Sequence, residues 1–186
     1  MVACAIGCLF LERLYAISQF VVTKELPVLF QIGTFGSIGC FMFLFTANFG
    51  TFDSLVDDGT PALKKYRFAA FAAPLLFVAA GVIIVLSPAN PGIDVTCAIE
   101  ELFMGAAAYF SFKNLIIPNN LAGIFSSLKL FHLLSILLAV FMTAENILWC
   151  YDVQNSLIWI IVYVLIFLAV PALPVVLDKG VKKWKA

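Results

Sequence analysis

Ionisable side chains are scarce in this sequence, and several sit inside long apolar runs. Glu12 and Arg13 lie in the middle of the first run, and Glu100, Glu101, Lys129, His132 and Glu145 lie within later ones. A charge near the centre of a bilayer costs at least ~2.5–3.5 kcal/mol on insertion scales, so such groups pair, face water or carry function. Neighbours on a helix point about 100° apart, so Glu12 and Arg13 need not pair with each other. Two readings follow: a gate or ion-coupling site, or a short or tilted span in which both residues snorkel or meet a partner helix.

The same helical arithmetic groups Glu100 with Thr96, Ala107, Ser111 and Asn114 on one face of a fourth apolar segment. In the fifth it groups His132, Ser135, Thr143 and Asn146, with Lys129 at the edge. Two striped helices line a polar path if they face each other across a space. If they merely touch, their Ser, Thr and Asn groups bond between packed helices for ~1 kcal/mol or less each. The candidate path residues are therefore Glu12, Arg13, Glu100, Glu101, Ser111, Asn114, Lys129, His132, Glu145 and Asn146.

Other chemistries find less support. A single histidine rules out bis-histidine haem within one chain, and zinc would need cysteine or carboxylate ligands that the spacing does not gather. A single axial ligand to haem or chlorophyll, a proton relay with Lys129, and a buried hydrogen-bonded histidine all remain open for His132. Glu100 and Glu101 point to different faces, which argues against a catalytic dyad. No nucleophile elbow, phosphate loop or HExxH motif is present, so an enzyme is not the favoured reading. Cys4, Cys8, Cys40, Cys97 and Cys150 form no CxxC pair and read as small packing residues; Cys4 and Cys8 share a face without a third ligand. No cofactor or metal is assigned.

The elements that must position these groups follow from composition. Of 186 residues, 63% are hydrophobic and 12% charged, with a mean hydropathy of +1.08. Soluble domains run near 45–50% and 25%. Lipid must be the solvent for most of the chain, and the expectation is one all-α membrane domain over residues 1–186. Its spans fall at about residues 2–22, 28–48, 68–87, 95–117, 124–148 and 157–177. Five spans result if the first segment is re-entrant. Runs such as residues 75–86 lack the alternation of a membrane β-barrel. Lys24-Glu25-Leu26-Pro27, Asp57-Asp58-Gly59-Thr60-Pro61, Pro88-Ala89-Asn90-Pro91-Gly92, Pro118-Asn119-Asn120 and Tyr151-Asp152-Val153-Gln154-Asn155 supply the turns. The apolar amino terminus lacks a basic region and cleavage site and reads as a retained helix.

Lysine and arginine resist translocation, so they orient the bundle. Six spans put Lys64, Lys65, Arg67 and the tail Lys179, Lys182, Lys183 and Lys185 on one side, the cytoplasmic or matrix-like side, with both termini; Lys113 and Lys129 snorkel toward it. Asp94 and Asp152 fall on the other. Gly33, Gly36 and Gly39, and the alanines of the third segment, predict close helix approach. Pro74, Pro171 and Pro174 predict bends. Phe30, Phe35, Phe41, Phe43, Phe45 and Phe49 predict a lipid-facing or subunit-facing surface, and Trp149, Tyr151 and Trp159 an interfacial belt.

Ala144-Glu145-Asn146-Ile147-Leu148, followed by Trp159 and Pro171-Ala172, resembles the final two helices of the urea/amide channel family of six-span proteins. The likeness covers about the last quarter of the chain and implies pore positions for Glu145 and Trp149. The Asn-Gly pair associated with that family's first span is not found here, and the orientation expected for the termini differs. Leu11-Glu12-Arg13-Leu14-Tyr15 is similar to the acidic-Arg-aromatic motif at a receptor helix end, on a chain too short for such a receptor.

The leading expectation is a small channel or secondary transporter for an ion or small solute. The alternative is a structural or assembly subunit of a larger membrane complex. Lipid is the expected surroundings, with a second copy or other membrane subunits as partners. A net charge of zero gives no field for nucleic acid. A lipid-modifying enzyme would require the acidic groups and His132 to converge at one interface.

Overall fold

Apolar segments in lipid can satisfy their backbone only internally, and these do so as helices. The computed structural model describes residues 1–24, 33–53, 59, 61–87, 91–119, 124–153 and 156–185, with no strand among them. Helix α1 is Val2–Thr23. Helix α2, Thr34–Thr46, continues as a π-helical stretch, Ala47–Asp53. A 3-10 turn at Pro61–Leu63 leads into α3 (Lys64–Ala70) and α4 (Ala72–Val85). The chain ends with α5 (Pro91–Ile116), α6 (Phe125–Cys150) and α7 (Leu157–Lys185).

Among the described residues, five segments are long and apolar enough to cross a membrane: Val2–Thr23, Pro61–Val85, Asp94–Ile116, Phe125–Cys150 and Leu157–Lys185. The protein is an all-α helical bundle and an integral membrane protein. Helix α1 has the length and apolarity of a span, and the shorter apolar helix among the described residues is the second, Thr34–Gly50. The start of that second span, including Phe30, lies outside the described residues, as do the turn residues Glu25, Leu26, Pro27, Asp57, Asp58, Thr60, Pro88, Ala89, Asn90, Asn120, Gln154 and Asn155.

Proline acts unevenly. The third span breaks at Phe71, between α3 and α4, because Pro74 has no N–H for the Ala70 carbonyl and its ring crowds it. Phe71 N–H instead bonds the Phe68 carbonyl at 3.2 Å, a 3-10 closure. Helix α7 continues through Pro171 and Pro174, leaving the Phe167 and Val170 carbonyls without their usual donors. It runs on past its apolar part to Lys185, with Lys182 paired to Asp178 at 2.6 Å.

Helix α5 is central, packed by α2, α4 and α6. Helix α1 lies on α2, α7 lies on α6, and α1 meets α7, so α1, α2, α5, α6 and α7 close a ring with α3 and α4 outside it. The expected close approach is seen on the α2 glycines. A Cβ on Gly36 would stand 2.6 Å from the Cys8 carbonyl oxygen and 2.7 Å from Glu12 Cβ, and one on Gly39 3.0 Å from Cys8 Sγ. These contacts fix the height and rotation of α1, and with them Glu12. The phenylalanines divide: Phe35 and Phe49 are exposed, whereas Phe41 is fully buried and Phe45 stacks on Phe49 and against Phe110. Lys113 does not snorkel outward; it is buried, its ammonium 5.3 Å from the Phe110 ring centroid, where the π-helical stretch covers α5.

Candidate functional site

Arg13 reaches into the ring and finds its partner 132 residues away. Its two terminal nitrogens each donate to one Glu145 oxygen at 2.7 Å, a bidentate pair. Nη1 also donates to the Tyr163 hydroxyl at 2.8 Å, Nη2 meets Met142 Sδ at 3.6 Å, and the guanidinium carbon lies 4.9 Å from the Tyr163 ring centroid. Three helices thus converge on one cation. Glu12 turns the other way and accepts a hydrogen bond from Ser37 on α2.

Opposite Arg13, on α5 and α6, Asn146 bridges two carboxyl groups, of which Glu100 lines the cavity within the ring. Its Nδ2 donates to Glu101 Oε1 at 3.1 Å and to Glu100 Oε2 at 3.3 Å, while Thr143 donates to Glu101 Oε2 at 2.7 Å. Glu100 and Glu101 do leave the helix in different directions, yet a single amide between them brings both to one place. Glu100 is 3% exposed, and its Oε1 has no hydrogen-bond partner. It interacts electrostatically with Glu12, Glu101 and Glu145. One guanidinium therefore shares the cavity lining with three carboxyl groups, Glu12, Glu100 and Glu145, and its direct pairing is with Glu145.

Between these walls is a cavity of about 100 Å³. All five ring helices line it: Glu12 and Arg13 from α1, Thr34 from α2, Cys97 and Glu100 from α5, Glu145 and Trp149 from α6, Trp159 and Tyr163 from α7. Trp159 stacks on Tyr163 with centroids 4.6 Å apart. A water occupies ~30 Å³ of liquid, so the space takes a few waters or one solute of a few heavy atoms. Among the described residues, no three His, Cys, Asp or Glu side chains are placed to share a metal ion.

The two predicted stripes meet along the α5–α6 seam as neighbours, not across a continuous channel. Below the acidic cluster come Met104, Met142, Ala107 and Ala139, all buried. Further down the polar residues resume. Asn114 lies as far along α5 from Glu100 as His132 lies along α6 from Asn146, roughly 20 Å at 1.5 Å per residue. His132 is fully buried, edge-on to Phe125 and Phe131 at 5.6 and 5.5 Å. Ser111 accepts from Asn48 at 3.1 Å, Ser135 bonds its own helix at the Phe131 carbonyl, and neither amide atom of buried Asn114 has a partner. Lys129 sits half-buried near the start of α6. The candidates thus form two polar layers separated by an apolar one. His132 and the acidic residues Glu100, Glu101 and Glu145 do not converge at one place.

The sequence reading missed Ser37, Tyr163 and Met142, and placed Trp159 only at the interface. Tyr163 carries a signal in hindsight, a hydroxyl in an otherwise aliphatic run; Ser37 lies four residues after Gly33, on the small-residue face of α2. Comparison with protein-family models, with curated proteins and with solved structures finds no match to this chain. The resemblance of its last quarter to the urea/amide channels gains no support from them.

Proposed function

We propose that the protein is a small secondary transporter that takes up its solute in the cavity bounded by Arg13, Glu100, Glu145 and Trp159. The observation that carries this reading is the polar cavity within the helical ring, with three carboxyl groups and one guanidinium among its lining residues, where buried charge is costly. A scaffold has no need of such a site, since packing serves without it. The apolar layer at Met104, Met142, Ala107 and Ala139 favours a carrier that changes conformation over an open channel. In this reading the cavity opens toward the Asp152 end, and the lysine-rich tail and both termini lie on the cytoplasmic or matrix-like side. The chain acts as one membrane domain.

The experiment is reconstitution in liposomes with a panel of small solutes of positive, negative and zero charge. Saturable uptake of at least one, lost in Glu145→Leu, is the expected result. Absence of flux for every solute, with the chain recovered in stoichiometric complex with other membrane subunits, would establish the scaffold in its place.

A further inference from the structure

We infer that the cavity selects a small ammonium-type cation, a protonated primary amine of a few heavy atoms; this rests on the transport reading and adds the substrate class to it. Hydrogen-bond inventory is the first ground. Of the donors on the wall, Arg13 is committed to Glu145, Tyr163 and Met142, and Asn146 to Glu100 and Glu101; behind it Ser37 is committed to Glu12 and Thr143 to Glu101. Left open on the wall are one donor, Trp159 Nε1, and one acceptor, on Glu100. Glu100 is a lining residue whose Oε1 is buried and without a partner, and a buried carboxyl oxygen in that state calls for a donor.

Charge is the second ground. After the Arg13–Glu145 pair, Glu12 and Glu100 remain among the lining carboxyl groups, and protons or a bound cation must balance them. An anionic solute would meet no uncommitted cation in this wall. The shape of the wall is the third. Trp149, Trp159 and Tyr163 present aromatic rings beside the carboxyl groups, the combination that attracts ammonium groups through ring faces. Among the described residues no three His, Cys, Asp or Glu side chains are placed to share a metal ion, and N–H donors and ring faces are what this wall is built to meet. The volume of about 100 Å³ limits the solute to something near methylammonium or ethylammonium in size.

The test is titration of the purified full-length protein in detergent, followed by its tryptophan fluorescence, with methylammonium, potassium and acetamide at matched ionic strength. Expected is a saturable signal with methylammonium, at least tenfold weaker in Glu100→Gln and within a few-fold of the original in Glu100→Asp. Thermal melts establish that each variant is folded. A saturable response to acetamide with none to methylammonium would overturn the cation assignment while leaving transport standing. An equal response to potassium would overturn the amine class. No response to methylammonium in the unaltered protein overturns the inference, and only the separate absence of flux for every solute would overturn the transport reading beneath it.

Discussion

Replacing Arg13 by methionine removes the one cation that holds α1, α6 and α7 together, and the consequence can be worked through. Breaking a buried ion pair by deleting one partner costs ~3–5 kcal/mol, because the other charge is left without compensation. The Arg13 side chain retains 26% exposure and that of Glu145 9%, so the low end, about 3 kcal/mol, is the appropriate figure. At ~2–4 °C per kcal/mol for a chain of this size, Arg13→Met lowers the midpoint by roughly 6–12 °C. Glu145→Leu strands the guanidinium and costs about as much. The double variant removes both charges and fills the space with apolar atoms, so it destabilises less than either single change. Thermal unfolding of the four proteins in one detergent, read by tryptophan fluorescence, completes the cycle. Additive losses in the double variant would refute the pairing.

Other expectations concern the scaffold. Gly36→Ala places a methyl group against the Cys8 carbonyl and Glu12 Cβ, so α1 and α2 must separate at a cost of ~1–3 kcal/mol; an unchanged denaturation midpoint would contradict that packing. Cys97 and Cys150 touch across α5 and α6, so mild copper-phenanthroline oxidation joins them in a disulfide found by mass spectrometry and absent in Cys150→Ser. Free thiols at both positions after oxidation would count against the register of these two helices. A membrane-impermeant maleimide applied from outside intact cells leaves Lys185→Cys unlabelled if the carboxyl terminus is cytoplasmic, and labels it if the orientation is reversed.

Sequence carries the elements of this bundle well and their partners poorly. Long apolar runs have a single backbone solution in lipid, which is why α1, α5 and α6 start and stop within a few residues of where hydropathy puts them. The glycine spacing of α2 announces close approach because only a missing Cβ permits it. The polar faces of α5 and α6 were readable from periodicity alone, and they do meet. Their division into two layers was not, since Met104 and Ala107 continue the same faces and only packing shows that they close the seam. Arg13 looked anomalous because its partner is on another helix far along the chain; no local rule pairs it with Glu145 or with Tyr163. The concern that it disqualified α1 as a span had the same origin. Once the pair is formed, the charge that seemed to forbid the helix is what ties it to the ring.

The most direct test of the central claim is transient current on a solid-supported membrane carrying the reconstituted protein, during a concentration jump of methylammonium. The account predicts a saturable inward-charge signal in the unaltered protein that is lost in Glu100→Gln and retained in Glu100→Asp. A current of the same size in folded Glu100→Gln, or none in the unaltered protein, would contradict it.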